Sequence, residues 1–269
     1  VQSYKITFSS RNKKRTIKKL QKFKKKKFNI KKVFEMINHS SKPLILAGSG
    51  LKISSSEKLL KEFLKSFQIP LVTAWSHDII ETKNKLFIGR QGTIGTRAGN
   101  FATQNCDLLI ILGSRLNIRQ VSYNYKSFAK NAKLIWIDID KKEFKKNFIK
   151  KSYNLNIDVK FFLKEMISFK KKNKIKSFNL WLDWCYKLKK LYTPKYSDYK
   201  SYKDINPYHF IHQLFEHIKK NDIIVCADAT ATIVPFQIGT IKKGVQLVSN
   251  SGCASMGYDL PACIGGIGS

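Results

Sequence analysis

Three short runs of this chain are apolar at almost every position: Pro43-Leu-Ile-Leu-Ala47, Asp107-Leu-Leu-Ile-Ile-Leu112 and Lys133-Leu-Ile-Trp-Ile-Asp138. A strand that is apolar on both faces has to be covered on both. When such strands alternate with helical stretches, the solution is a parallel sheet held between two layers of helices. Pro70-Leu-Val-Thr-Ala74 reads as a fourth strand. Val33, Phe34 and Ile37 sit at helical spacing ahead of the first strand, and Leu59, Leu60, Phe63, Leu64 and Phe67 form the apolar stripe of a helix after it. Ser54-x-x-Glu57 has the pattern of a capping box for that helix. Gly89 to Thr96 reads as a glycine-rich loop and 97–106 as a short helix. The expected fold class is therefore α/β, a doubly wound, Rossmann-like parallel sheet with ligands at the carboxyl ends of the strands.

The chain divides by composition. Residues 1–31 read as a basic linker following an N-terminal domain that lies outside the sequence, 32–170 as the central Rossmann-like domain, 171–203 as a helical linker and 204–269 as a second, truncated α/β domain. From about Phe161 to Leu191 the chain looks helical, with Trp181, Trp184 and Leu188 on one side. The second unit opens at Asn206-Pro207, an N-cap followed by proline at the first helical position, with Phe210, Ile211, Leu214, Phe215 and Ile218 as its apolar face. The run 222–227 is a strand, and a further helix begins near Pro261. One strand and part of a helix are too little to close a core.

Lysine and arginine number 51 against 18 acids, a formal charge of +33. Such an excess points toward nucleic acid, yet it is almost all lysine spread along the chain, and no nucleic-acid module accompanies it. That reading ranks last. The six arginines are different: Arg90, Arg97, Arg115 and Arg119 fall in one segment, where a rigid, bidentate cation has uses that lysine does not serve. No apolar run is long enough to cross a bilayer, so no membrane partner is expected. The five cysteines are scattered without a C-x-x-C pair, which suits a reducing, cytoplasmic setting.

Gly48-Ser49-Gly50 lies between a strand and a helix, where small residues let backbone N–H groups approach a phosphate. Ile53 stands where a G-x-G-x-x-G would have its third glycine, so a plain tight turn is the competing reading. Asp138 and Asp140 end another strand, where carboxylates accept ribose hydroxyls, and Arg115 follows Gly113 at a third strand end. Three strand-end signals on one edge point to a nucleotide-like ligand. His209, His212 and His217 share a helix without a metal-ligand spacing.

Lys42-Pro-Leu-Ile-Leu-Ala-Gly-Ser-Gly50, Arg90-Gln-Gly-Thr-Ile-Gly-Thr-Arg97, Asn105-Cys-Asp-Leu-Leu-Ile-Ile-Leu-Gly-Ser-Arg115 and Ile137-Asp-Ile-Asp140 resemble, in order, the central domain of thiamine-diphosphate enzymes of the acetolactate synthase type. Ser251-Gly-Cys-Ala-Ser-Met-Gly-Tyr-Asp-Leu-Pro-Ala-Cys-Ile-Gly265 resembles the opening of their cofactor-binding C-terminal domain. The resemblance implies thiamine diphosphate with Mg2+, held between subunits of a homo-oligomer. It implies decarboxylation of a 2-oxo acid such as pyruvate, followed by carboligation. Met256 would be the apolar wedge that keeps the cofactor bent, with Gly252 beside it. The carbonyl of Ala254 would accept from the aminopyrimidine, at a position where the family usually has glycine. In flavin-containing members Gly48, Ser49, Gly50, Gly92, Thr93, Gly113, Arg115, Asp138 and Asp140 would lie near FAD; other members bind ADP there or nothing. The activating glutamate and the G-D-G…N metal segment are not found in the chain. The expectation is that this polypeptide alone lacks carboligase and decarboxylase activity, with a non-catalytic FAD- or ADP-binding module as the alternative.

Overall fold

The computed structural model describes residues 27–75, 77–146, 152–193, 199 and 203–267; most of the basic segment expected as a linker lies outside them. Six parallel strands form one sheet: β1 (Pro43–Ala47), β2 (Leu71–Thr73), β3 (Phe87–Arg90), β4 (Leu108–Leu112), β5 (Lys133–Asp138) and β6 (Ser152–Asn156). Their order is β3-β2-β1-β4-β5-β6, the doubly wound arrangement, and it reverses between β1 and β4. Alternate residues of the same strand enter opposite cores. Ile45, Ile110 and Ile135 pack beneath α1 (Ile30–His39), α3 (Glu57–Phe67) and α6 (Val159–Lys171). Leu44, Leu109 and Trp136 pack beneath α4 (Arg97–Asn105) and α7 (Asn179–Tyr192). This two-sided burial is what the apolar runs required.

Helix α7 is locked onto the central sheet. Trp181 and Cys185 are buried in the second core, and the Trp181 indole donates to the Pro43 carbonyl at 2.9 Å. Lys189 donates to the Phe87 carbonyl at 2.6 Å. Burial, with the Arg90 charge nearby, lowers its ammonium pKa.

Several local expectations are corrected. Residues 87–90 form β3 where a loop was expected from Gly89. The strand is only four residues long and carries a glycine, which hides its periodicity. The stretch near 152 is an edge strand, β6, in which Leu155 alone is fully buried, so its sequence (Ser-Tyr-Asn-Leu-Asn) lacks the apolar signal of the inner strands. The Ser54–Glu57 capping box does not form. Ser54 closes a short helix, α2 (Gly50–Ile53), donating to the Leu51 carbonyl at 3.2 Å, and α3 starts at Glu57 behind Ser56.

The second unit comprises α8 (Pro207–His217), β7 (Ile223–Val225), α9 (Thr230–Ile238), β8 (Gln246–Val248) and α10 (Asp259–Ile267), with α5 (Ile118–Val121) facing it from the central unit. Asn206 caps α8 by accepting from the Tyr208 N–H at 2.9 Å. The unit holds two parallel strands where one was expected. Ile211 and Phe215 are buried, whereas Phe210 and Leu214 of the expected apolar face are exposed. Trp75 and Ile94 of the central unit pack into the same core.

Trp181→Ala is expected to lower unfolding free energy by about 3–5 kcal/mol in urea denaturation. Leu180→Ala, at a side chain 90% exposed, should stay within about 0.5 kcal/mol of wild type. Equal effects would show that α7 is not part of the central core.

Candidate functional site

The crevice at the β1/β4 reversal begins with a backbone contact. The Gly48 N–H donates to Leu112 O and the Gly50 N–H to Gly113 O, each at 2.9 Å. A Cβ on Gly48 would lie 2.3 Å from Gly113 O, and one on Gly113, whose φ is +58°, would lie 2.8 Å from the Gly50 Cα. The glycines let two turns press together, and those two N–H groups already have protein acceptors. Ser49 is the member of the turn that lines the cavity above. Gly92 and Thr93 brace the neighbouring loop: the Thr93 N–H donates to Arg119 O at 2.8 Å and the Gly92 N–H to the Asn100 side chain at 2.8 Å.

The second unit docks over this edge. Arg90, 5% exposed at the end of β3, donates from Nη1 to Gln237 O (3.0 Å) and from Nη2 to Gly239 O (2.5 Å), the terminal carbonyls of α9. A guanidinium there also complements the helix dipole. Thr82 and Ile241 exchange two hydrogen bonds, N–H to carbonyl at 3.1 Å and N–H to hydroxyl at 2.9 Å. The Trp75 ring meets the Phe236 ring, centroids 5.1 Å apart, and carries the Arg119 guanidinium 5.4 Å from its centroid.

Two cavities open along the seam and meet at Trp75, Arg119 and Ser251. The larger, about 510 Å³, is walled by Ser49, Lys52, Arg115 and Gln120 on one side and Ser249 and Gly252 on the other. The smaller, about 180 Å³, is walled by Asp228, Thr232, Asn250, Ala254 and Ser255. Lys52 is paired with Asp78 at 2.6 Å, while Arg115 and Arg119 present further positive charge to the seam. An anionic, partly aromatic ligand suits such walls.

The structure thus brings Ser49, Arg115 and Gly252 into one cavity and Ala254 into its neighbour, with Gly48, Gly50 and Gly113 forming the turn beneath. Asp138 and Asp140 stand one strand further along and line neither cavity. Each caps its own turn: Asp138 Oδ1 accepts from the Asp140 N–H and Asp140 Oδ1 from the Lys142 N–H. Burial raises the Asp138 carboxyl above the ordinary aspartate value, opposed by that N–H. Met256 is 89% exposed and lines neither cavity. Ala254 has φ +52°, a left-handed conformation in which glycine carries no Cβ penalty; its N–H donates to Asn250 O at 2.6 Å, closing the turn. Trp75, Lys52, Asp78 and Asp228 were not singled out from the sequence. Trp75 directly follows the β2 region, and the strand-end rule that found Arg115 could have found it.

The turn closed by the Ala254 N–H on Asn250 O puts Asn250, Ser251 and Ala254 on the wall of the smaller cavity, whose polar and apolar lining is compatible with one end of an aromatic cofactor. Among the described residues no group of three or more His, Cys, Asp or Glu side chains could hold a metal ion. All five cysteines are free; burial raises the Cys185 and Cys226 thiols to about 12, which keeps them protonated and unreactive. No helix among the described residues is long and apolar enough to cross a membrane.

Residues 30–166 match the profile of a family described as thiamine pyrophosphate enzyme, central domain. The chain is 33% identical over 250 residues to a probable acetolactate synthase large subunit of Methanocaldococcus jannaschii, covering 88% of this chain and 40% of that protein. It is 32% identical over 228 residues to the acetolactate synthase large subunit of Lactococcus lactis subsp. lactis, covering 84% and 38%. For that of Cyanidium caldarium the figures are 32% over 244 residues, 88% and 40%. The chain therefore spans about two fifths of the length of these relatives.

Two substitutions test the local chemistry. Ala254→Gly is expected to stabilise the fold by up to about 1 kcal/mol, read from the denaturation midpoint, because it relieves the left-handed strain. For Asp138 the folded carboxyl binds its proton more tightly than the unfolded one, so stability falls as pH rises from the ordinary aspartate range, about 3.9, through the raised folded value. Asp138→Asn should therefore be more stable than wild type at pH 7, with the difference shrinking as pH drops toward that range. A difference that grows on acidification would reverse the assignment.

Proposed function

The chain belongs to the thiamine pyrophosphate enzymes of the acetolactate synthase type, and from that membership we propose that its second unit contributes one wall of a thiamine diphosphate site completed by a further subunit and serving 2-oxo acid decarboxylation and carboligation. The supporting observation is convergence: Arg115 and Ser49 from the central unit and Ser251, Gly252, Ala254 and Ser255 from the second unit wall one seam. Bound there, thiamine diphosphate would supply the electron sink that 2-oxo acid decarboxylation requires.

The chain's own residues bind and orient. Ala254 and Ser255 line the smaller cavity, where the Ala254 carbonyl would accept from the aminopyrimidine. Met256 follows two residues after Ala254, 89% exposed and outside both cavities; its unpacked thioether would reach the rings only of a cofactor bound outside them. Arg119, at the meeting of the two cavities, offers a planar fork to the carboxylate of a 2-oxo acid, and Trp75 keeps that guanidinium in place. The reading includes Mg2+ with the diphosphate but assigns none of the described residues as its ligand. If the chain is one of the family members that bind FAD or ADP, as distinct from those that bind neither, Arg115 would be the cation at the larger cavity. Turnover is assigned to a cytoplasmic homo-oligomeric enzyme, not to this chain alone. The exposed apolar Leu260 and Ile264 of α10 support burial against a further surface.

Titration of the chain with thiamine diphosphate and Mg2+, followed by tryptophan emission, is expected to show saturable quenching that Trp75→Phe reduces. Pyruvate turnover by the chain alone should stay at background. Met256→Ala should leave the thermal midpoint unchanged and weaken cofactor binding about two- to tenfold. Saturable binding of neither thiamine diphosphate, FAD nor ADP would overturn the reading, and unchanged affinity in Met256→Ala would remove that residue from the site.

A further inference from the structure

Asp78 lies on the single helical turn His77–Ile79 that follows β2, and its side chain is only 5% exposed. One oxygen, Oδ2, accepts from two directions: from Lys52 Nζ at 2.6 Å and from the Leu247 N–H at 3.1 Å. Lys52 belongs to α2, immediately after the Gly48–Gly50 turn. Leu247 belongs to β8, which runs into Ser249, Ser251 and Gly252 on the opposite wall of the same cavity. A surface ion pair would contribute little. A buried carboxylate with a cation on one wall and a backbone donor on the other is different, since removing it leaves both donors without their acceptor.

We propose that Asp78 is a positioning residue, the group that fixes the span across the cleft between the Gly48–Gly50 turn and the Ser249–Ala254 segment. The inference rests on the cofactor reading only for what the held segment serves. The Arg90 and Thr82 contacts engage the second unit elsewhere, at the end of α9 and at Ile241, so the loss of Asp78 loosens residues 246–254 without undocking the unit.

Hydrogen–deuterium exchange on the full chain tests this. In Asp78→Ala, amides of 246–254 should exchange about tenfold faster or more, while those of β1 and β4 keep their wild-type rates. Asp78→Asn retains a carbonyl acceptor and should return the Leu247 amide to within about threefold of wild type. Lys52→Met should also loosen 246–254, and combining it with Asp78→Ala should add nothing, the signature of one shared interaction. Wild-type exchange at 246–254 in Asp78→Ala, or equal acceleration in β1 and β4, overturns the proposal. If Asp78→Ala does not fold, unchanged 246–254 exchange in Lys52→Met overturns it instead. Loosening of 246–254 in a protein whose wild type binds no thiamine diphosphate leaves the positioning role standing and removes the cofactor reading. Cofactor binding with no loosening does the reverse.

Discussion

The contact between the turns after β1 and β4 sets the rest of the molecule. With a Cβ on Gly48 placed 2.3 Å from Gly113 O, no side chain fits between the two turns, and the backbones close the base of the crevice themselves. The cavity therefore starts one layer higher, at Ser49, Lys52 and Arg115. Its far wall has to come from another part of the chain, and the second unit supplies it. The strand order makes the reversal point a natural ligand position; the glycine contact decides how deep that position is.

What closes over the edge is held by interactions of different range. Trp75 and Ile94 contribute apolar burial that is indifferent to orientation. The directional contacts fix the pose: the Arg90 fork on the last carbonyls of α9, the Thr82–Ile241 pair and the Asp78 carboxylate on β8. Arg90 and Arg119 use the planarity of guanidinium, one on two carbonyls and the other over an indole, and Arg97 lies over the Tyr192 ring at 5.7 Å. In a chain whose default cation is lysine, the four clustered arginines are accounted for by geometry: three meet carbonyls or aromatic faces, and Arg115 faces the cavity.

The inner strands were legible because a doubly covered strand has to be apolar throughout, and that pattern survives in one dimension. The edge strands were not. β6 needs to bury only Leu155, and β3 carries a glycine against which Thr96 and Gly99 pack closely. The site divides in the same way. Ser49, Arg115 and Gly252 stand at strand ends or in a recognisable segment, so local sequence found them. Lys52 is one lysine among many, and Asp78 is an ordinary acid until β8 is brought beside it. Their roles come from the docking of residues separated by some 170 positions in the chain.

Ala254 and Met256 show how one short segment can serve two demands. Ser251, Ala254 and Ser255 line the cavity with residue 254 left-handed, and the chain accepts a β-carbon there at a cost of about 1–2 kcal/mol. A strained residue on a cavity wall is held by its surroundings, here the Asn250–Ala254 hydrogen bond and the β8 anchor just before it. Met256 lies beyond that anchor, next to Gly257 with φ +77° and with no protein atom within 4 Å of a Cβ built on that glycine. The backbone of the segment is therefore fixed where it faces the cavity, while its thioether stays unpacked. That division suits a wall that must be formed before a ligand arrives and an apolar contact that is completed only once the ligand is there.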